Sequence, residues 1–147
     1  MSLFISDRVL VPIDFSEISL EALDETISFL ENSAQIYVIY VLTPLLPTEP
    51  GVIWEKVNNE TRKKNVEQVF QKRYPKSLSN NLHFEVKVGN ASAVIIDYAK
   101  SHQIDLIVIA SHGNKGLTRF LLGSVAEKVI RFAKCPVLVW RSRENQK

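Results

Sequence analysis

The sequence has little of what marks several protein classes. Among its 147 residues there is one cysteine, Cys135, so the chain cannot form an internal disulfide, a thiol redox pair or a thiolate zinc cluster. We expect Cys135 to be a buried, small apolar side chain. The 18 basic and 16 acidic residues nearly balance, which gives no electrostatic reason to expect a nucleic acid or an anionic membrane as partner.

Long apolar runs are also missing. No stretch approaches the roughly 18 residues needed to cross a bilayer, and residues 1–7 lack the charged and apolar regions of a secretion signal. We therefore expect a cytoplasmic protein with no membrane partner. Apolar residues nevertheless make up 46% of the chain, enough for one substantial core, so the sequence predicts a single domain over residues 1–147.

Segments typical of strands and helices alternate along the chain, which is the pattern of βαβ units and a mostly parallel sheet. Strands are predicted at Arg8–Ile13, Gln35–Leu42, Leu82–Val88 and residues 104–110 and 136–141. The segment 104–110 (IDLIVIA) is the most apolar and should be central in the sheet. Leu82–Val88 alternates apolar and polar residues, so it should lie near an edge.

Helices are predicted between these strands. Ser16 can cap the first of them, and the others should cover residues 54–74, 92–101 and 124–134. The buried stripe of the first helix is predicted to be Leu20, Leu23, Ile27 and Leu30. This order of elements predicts an α/β fold with an open, doubly wound, five-stranded parallel sheet, Rossmann-like, with helices on both faces.

Ligands of such sheets bind beyond the carboxyl ends of the strands, where the strand order reverses. One candidate there is the loop 111–122, which contains Gly113 and Gly116 and leads to Gly123 and Ser124 at the start of a helix. Glycines allow a close backbone approach, and the first amides of a helix lack internal partners, so a phosphate would meet aligned donors. Lys115 and Arg119 would add positive charge within the loop.

The loop also has a purely structural explanation. Ser124 and Glu127 have the S-x-x-E spacing of a capping box, which would account for the serine without any ligand. The two interpretations are compatible, because a serine hydroxyl can cap the empty protein and donate to a phosphate in a complex. Both remain open on local sequence alone.

Other kinds of site have weaker support. Neither a P-loop motif nor a G-x-G-x-x-G after a strand is present. Ser111 and His112 are sequence neighbours without an identifiable acidic partner, so we do not expect catalysis by them. His83 and His102 lack partners at metal-ligand spacing. The basic cluster 62–64 has no interleaved aromatic residues, so it is interpreted as a solvated helix face and not a nucleic-acid site.

Several segments together resemble the universal stress protein family. They are residues 9–16 (VLVPIDFS), 41–44 (VLTP), 87–91 (KVGNA) and 135–139 (CPVLV), and most specifically ASHG at 110–113, followed after nine residues by GSV at 123–125. The ATP-binding branch of that family carries a G-x-x-G-x9-G-[ST] pattern. Ala110 stands in place of the first glycine, where an added methyl group could crowd a ligand or forbid a positive φ.

The resemblance implies a fold of the adenine nucleotide alpha hydrolase-like type, with ATP as ligand and Mg²⁺ recruited through its phosphates. Asp14 and Val41 would hold the adenine and ribose, Gly89 would line the pocket wall, and the loop would hold the phosphates. The full set of nucleotide-binding residues predicted in this way is Pro12, Ile13, Asp14, Val41, Gly89, Ala110, Ser111, His112, Gly113, Gly116, Gly123, Ser124 and Val125.

The resemblance also implies a homodimer that pairs through the C-terminal strand, Val137–Trp140. The function expected is that of a stress-response regulator or sensor that binds adenine nucleotide. Two alternatives stay open: a dimeric interaction module of the same family that binds no nucleotide, which Ala110 favours, and a slow ATPase, for which the sequence offers no obvious base or paired magnesium carboxylates.

Overall fold

The computed structural model describes residues 7–44, 52–76, 80–113 and 122–142, with the side chains of α2 described from residue 58 onwards. Five parallel strands in this part of the chain form one sheet, in the order β3-β2-β1-β4-β5. The strands are β1 (Arg8–Ile13), β2 (Gln35–Leu42), β3 (Leu82–Val88), β4 (Leu106–Ala110) and β5 (Val137–Trp140). The first three match the predicted bounds, and the last two are shorter than predicted.

Within the described ranges, four helices connect the strands: α1 (Glu17–Leu30), α2 (Val52–Arg73), α3 (Ala91–Ser101) and α4 (Ser124–Phe132). Two separate hydrophobic clusters show how they are arranged. One cluster joins Val11 of β1 to Leu23 of α1 and Phe70 of α2, and the other joins Leu10 to residues of α3 and α4. Since neighbouring residues of a strand point to opposite faces, the helices cover both faces of the sheet. The predicted doubly wound architecture is therefore confirmed.

The position of each strand follows its burial. β1 lies in the middle of the sheet, and all of its residues after Arg8 are buried. β4 lies between β1 and β5, so it is an internal strand paired on both sides. The middle strand of the sheet, however, is β1 and not β4. β3 is an edge strand with one buried residue, Val86, as its alternating pattern predicted.

The buried face of α1 differs from the predicted stripe. Ile18, Ala22 and Leu23 are buried, whereas Leu20, Ile27 and Leu30 are only partly buried. The face toward the sheet also includes two hydroxyl side chains, Ser19 and Thr26. Their hydroxyls donate to the carbonyls of Ser16 (3.0 Å) and Ala22 (2.7 Å) respectively. Because the hydroxyls are hydrogen-bonded, burying them costs little free energy. The predicted residues all pack against the core, but a search for apolar residues alone misses part of the buried face.

Two further expectations concern single features. Cys135 is partly buried and packs against the cluster on the α3 and α4 side, and burial raises the pKa of its thiol. Among the residues described, no helix combines the length and the apolarity that a membrane crossing requires.

Candidate functional site

The strand order reverses at β1. From β1 the chain passes to β2 and β3 on one side and then to β4 and β5 on the other, so a crevice is expected between the carboxyl ends of β1 and β4. Asp14 follows β1, and Ser111 to Gly113 follow β4. These two segments are in contact, because a Cβ atom built on Gly113 would overlap the Asp14 carboxylate. Two residues predicted from distant parts of the sequence thus meet at the reversal point.

The turn after β1 is held together by side-chain hydrogen bonds. Oδ1 of the half-buried Asp14 accepts from the backbone N–H of Ser16 at 3.0 Å and from its hydroxyl at 2.5 Å. The N–H of Asp14 donates in turn to Oγ of Ser19 at 3.3 Å. Phe15, between them, adopts φ 61°, a left-handed conformation that is uncommon for a bulky residue, and its ring lies 5.3 Å from that of Tyr40.

Sequence reasoning missed part of this turn. It assigned Ser16 as a helix cap but gave no role to Phe15 or Ser19. A positive φ is usually signalled by glycine or asparagine, so phenylalanine offered no indication of the turn. The hydroxyl of Ser19 could have been suspected only from its place two residues after the expected start of α1.

The loop after β4 is closed at its base by backbone contacts. The carbonyl of Ser111 accepts from the N–H of Gly123 at 2.7 Å, and the N–H of Ser111 donates to the carbonyl of Trp140 at 2.9 Å. A Cβ atom on Gly123 would lie 3.1 Å from the Ser111 carbonyl oxygen and 3.2 Å from Cα of His112. Only glycine therefore fits this crossing without displacing the backbone. Gly116, Lys115 and Arg119 lie outside the described residues.

The start of α4 corrects the capping-box prediction. Gly123 is the N-cap, with φ −62° and ψ 152°, and it provides no side-chain hydrogen bond. Ser124 is already the first helical residue and is exposed, and the Glu127 carboxylate pairs with Arg131 one turn further on. The helix begins one residue too early for Ser124 to cap it, so the box does not form. The first-turn amides consequently have no side-chain cap among the residues described, which is the arrangement that accepts an anion.

Ala110 occupies the place of the first motif glycine. It is the last residue of β4, it pairs with Trp140 of β5, and it is 9% exposed. Among the described residues, the non-glycine residues with positive φ are Phe15, Glu31 and Gln103. Ala110 is thus an extended strand residue, and the backbone at this position does not demand glycine.

The remaining predicted residues lie at or near the carboxyl ends of the strands and the start of α4. Pro12 and Ile13 are buried at the end of β1, and Val41 is partly buried near the end of β2. Gly89 follows β3 with φ 152°, and its N–H donates to the carbonyl of Leu42 at 2.9 Å. A Cβ atom on Gly89 would approach the Val94 side chain to 2.8 Å. Val125 is exposed in the first turn of α4.

Two other regions carry polar side chains that could suggest a site. A groove lined by acidic residues of α1 and by Arg73 of α2 contains none of the predicted residues, and Arg73 within it is paired with Asp24. His83 and His102 each lie against the ring of Tyr37. In the described ranges, no group of three histidine, cysteine or acidic side chains is arranged to hold a metal ion.

The fold and the crevice define a class: doubly wound α/β proteins with a glycine-containing loop between a strand and a helix at the reversal point. The model of the universal stress protein family matches residues 6–141. The chain belongs to the universal stress protein family, which confirms the resemblance carried by its motifs.

Individual members of the family are similar over almost the whole chain. Universal stress protein MJ0531 of Methanocaldococcus jannaschii is 35% identical over 143 residues, covering 95% of this chain and 84% of that protein. The structure of universal stress protein UspA from Lactobacillus plantarum matches with a TM-score of 0.73 and 28% identity, covering 92% of this chain and 97% of that one. A universal stress protein crystallised in complex with cAMP matches with a TM-score of 0.67, covering 92% and 97%, and at 22% identity it shows the shared fold.

Proposed function

We propose that this universal stress protein binds an adenine nucleotide, ATP in the first instance, in the crevice between the turn after β1 and the loop entering α4. The observation that carries the proposal is the contact between Gly113 and the Asp14 carboxylate. It brings a carboxylate acceptor for ribose hydroxyls next to a glycine loop of the kind that surrounds phosphates. A nucleotide carries both ribose hydroxyls and phosphates, the two kinds of group that these elements would recognise.

The phosphates are assigned to the start of α4. Its first-turn N–H groups carry the positive end of the helix dipole, and Ser124 adds a hydroxyl donor that no cap occupies. Gly123 keeps the loop base close to this helix end through its bond to Ser111. Mg²⁺ would be held by the phosphates and water.

The adenine and ribose are assigned to the ends of β1 and β2. Asp14 would accept from the ribose, while Pro12, Ile13 and Val41 would offer apolar surface to the base, with Gly89 at the wall. Charge-assisted hydrogen bonds such as those of a carboxylate to ribose hydroxyls are among the stronger ones in proteins.

Two further points support the assignment. A protein of the same fold was crystallised with cAMP, which contains adenine, ribose and a phosphate. The extended backbone of Ala110 also removes the expectation that this position requires glycine. We infer that the nucleotide acts as a signal in a stress-response regulator or sensor, with hydrolysis slow if it occurs.

The test is direct. Protein purified without added nucleotide is denatured, and the supernatant is analysed by ion-pair chromatography and mass spectrometry. The protein stripped of ligand is then titrated with ATP by calorimetry, with and without Mg²⁺. We expect released adenine nucleotide or a saturable ATP isotherm. Absence of both would support the nucleotide-free interaction module, and measurable phosphate release under saturating ATP would support the slow ATPase.

We also propose that the chain forms a homodimer through β5. The two edge strands differ: β3 presents His83 and the Glu85–Lys87 ion pair, whereas β5 is apolar, with Leu138 46% exposed. Of the seven exposed large hydrophobic side chains in the described residues, five lie between residues 122 and 138. Such an apolar edge is normally covered or paired, while charges protect the other edge.

The dimer is tested by light scattering combined with size exclusion. Leu138→Lys should convert the dimer to monomer, because it places a charge in the paired edge. The matched change at the opposite edge, His83→Lys, should leave the dimer intact. A wild-type monomer, or equal dissociation by both substitutions, would contradict pairing through β5.

A further inference from the structure

We infer that Ser16 is a positioning residue for ligand binding: its hydroxyl holds the Asp14 carboxylate in the orientation that recognises a ribose. The inference rests on the proposed function, since it concerns the same crevice. Ser16 is 7% exposed and lies between the end of β1 and the start of α1.

The direction of the hydrogen bond between the two side chains follows from their chemistry. An ionised carboxylate can only accept, so the proton between Oγ of Ser16 and Oδ1 of Asp14 belongs to the serine. The backbone N–H of Ser16 donates to the same oxygen at 3.0 Å. Two donors on one carboxylate oxygen fix both the position and the rotation of the carboxylate.

The same hydroxyl also caps α1. Its oxygen accepts from the N–H of Ser19 at 3.3 Å, which is the usual role of a serine at this position. Capping uses a lone pair of the oxygen, whereas the bond to Asp14 uses its only proton. The two roles therefore use different atoms of the hydroxyl. Substitutions that remove the hydroxyl at different cost to the helix can distinguish them.

The surrounding turn explains why the hydroxyl is needed. Phe15 holds its left-handed φ between Asp14 and Ser16, and strained residues of this kind persist only where neighbouring contacts secure them. Gly113, which follows the neighbouring strand β4, approaches the carboxylate so closely that a rotated carboxylate would disturb the loop. Without the serine proton, we expect the carboxylate to sample other rotations and to meet the ribose less often.

Two substitutions remove the same hydroxyl at different cost to the helix. Replacing an N-cap serine by glycine costs the helix much less stability than replacing it by alanine. If Ser16 positions Asp14, Ser16→Gly and Ser16→Ala should weaken ATP binding equally, by about threefold to tenfold, the size of one net hydrogen bond. If Ser16 serves only the helix, the loss of affinity should follow the loss of thermal stability and be larger for alanine.

A second measurement tests the link to the ribose. ATP and 2′,3′-dideoxy-ATP are titrated into the wild type, both Ser16 variants and Thr26→Val, which removes a buried hydroxyl elsewhere on α1. We expect the wild type to prefer ATP, the Ser16 variants to lose most of that preference, and Thr26→Val to retain it. Equal weakening toward both ligands, or no weakening, would overturn the inference while leaving nucleotide binding intact. A wild type that binds neither ligand would overturn both proposals.

Discussion

The two turns that meet at the carboxyl edge of the sheet are built by different means. The turn after β1 is organised by side chains, with the Asp14 carboxylate bonded to Ser16 and the Ser19 hydroxyl bonded back to the strand end. The crossing after β4 is organised by backbone, with Gly113 against a carboxylate and Gly123 against the Ser111 carbonyl. The first turn provides side-chain hydrogen-bonding groups. The glycines of the second allow other atoms to approach the backbone closely.

This difference implies different responses to substitution. A side-chain turn loses one hydrogen bond at a time, so its variants should weaken binding in moderate steps. The backbone crossing has less freedom, since an atom added at Gly123 meets the main chain of Ser111 and His112, which cannot move alone. The substitutions below test this contrast on the proposed nucleotide site.

The largest effect is expected from Gly123→Val. Its Cβ atom would lie 3.1 Å from the Ser111 carbonyl oxygen, so the loop base and the start of α4 must separate. Overpacking of this kind costs about 1–3 kcal/mol, which corresponds to a loss of roughly 10- to 100-fold in ATP affinity if the strain falls on the bound state. Calorimetric titration with ATP measures the loss.

The control for Gly123→Val is Ala133→Val at the other end of α4. Ala133 has φ −64° and ψ 146°, an extended conformation that suits valine. Thermal unfolding of both variants separates a loss of binding from a loss of fold. Unchanged affinity in Gly123→Val would show that the crossing takes no part in nucleotide binding.

An intermediate effect is expected from Asp14→Asn. Asparagine keeps an oxygen that can accept from Ser16, so α1 should still begin normally, but the charge that strengthens hydrogen bonds to ribose is lost. Hydrogen bonds to a charged group contribute about 1.5–3 kcal/mol and neutral ones about 0.5–1.5 kcal/mol, so ATP affinity should fall by the difference, roughly 5- to 10-fold.

A matched aspartate, Asp105, lies at the other end of the strands, just before β4. Oδ2 of Asp105 accepts from the backbone N–H groups of Asp7 and Arg8, both at 3.0 Å. Asp105→Asn therefore removes a comparable charge from a comparable turn, away from the crevice. It should reduce stability without reducing ATP affinity, and a similar loss of affinity in both variants would argue against a ribose contact at Asp14.

The smallest effect is expected from Ala110→Gly, which restores the motif glycine. Ala110 is extended and buried in β4, so the native backbone at this position needs no conformation that only glycine can adopt. ATP affinity should change by less than about threefold, while glycine in a strand lowers the free energy of unfolding by about 0.5–1 kcal/mol. A rise in affinity above tenfold would mean that the methyl group obstructs the ligand. Titration and chemical denaturation measure the two quantities.

Much of the fold was predictable from local pattern. Apolar runs bounded by turn residues located β1 and β2 at their observed limits, since a buried parallel strand is largely apolar, and the alternation of apolar and polar residues located the edge strand β3. The predicted apolar stripe of α1 packs against the core, but the most buried face also includes Ser19 and Thr26, whose hydroxyls are bonded to backbone, which hydropathy does not register. The start of α4 at residue 124 was predicted, but the capping box does not form, because spacing identifies a possible cap without fixing the backbone conformation that realises it.

The chain alone determined the alternation of strands and helices, the crevice at the reversal point and the motif residues around it, because periodicity and glycine placement are local properties. Tertiary structure decided which of these residues touch. The carboxylate of Asp14 meets Gly113 only because β1 and β4 are neighbours in the sheet. The backbone of Ala110 tolerates alanine only because pairing with β5 holds it extended, and the hydroxyl of Ser16 reaches Asp14 only because Phe15 bends the chain between them. The first two depend on contacts between separate strands, and the third depends on a left-handed backbone that the residue type of Phe15 does not signal.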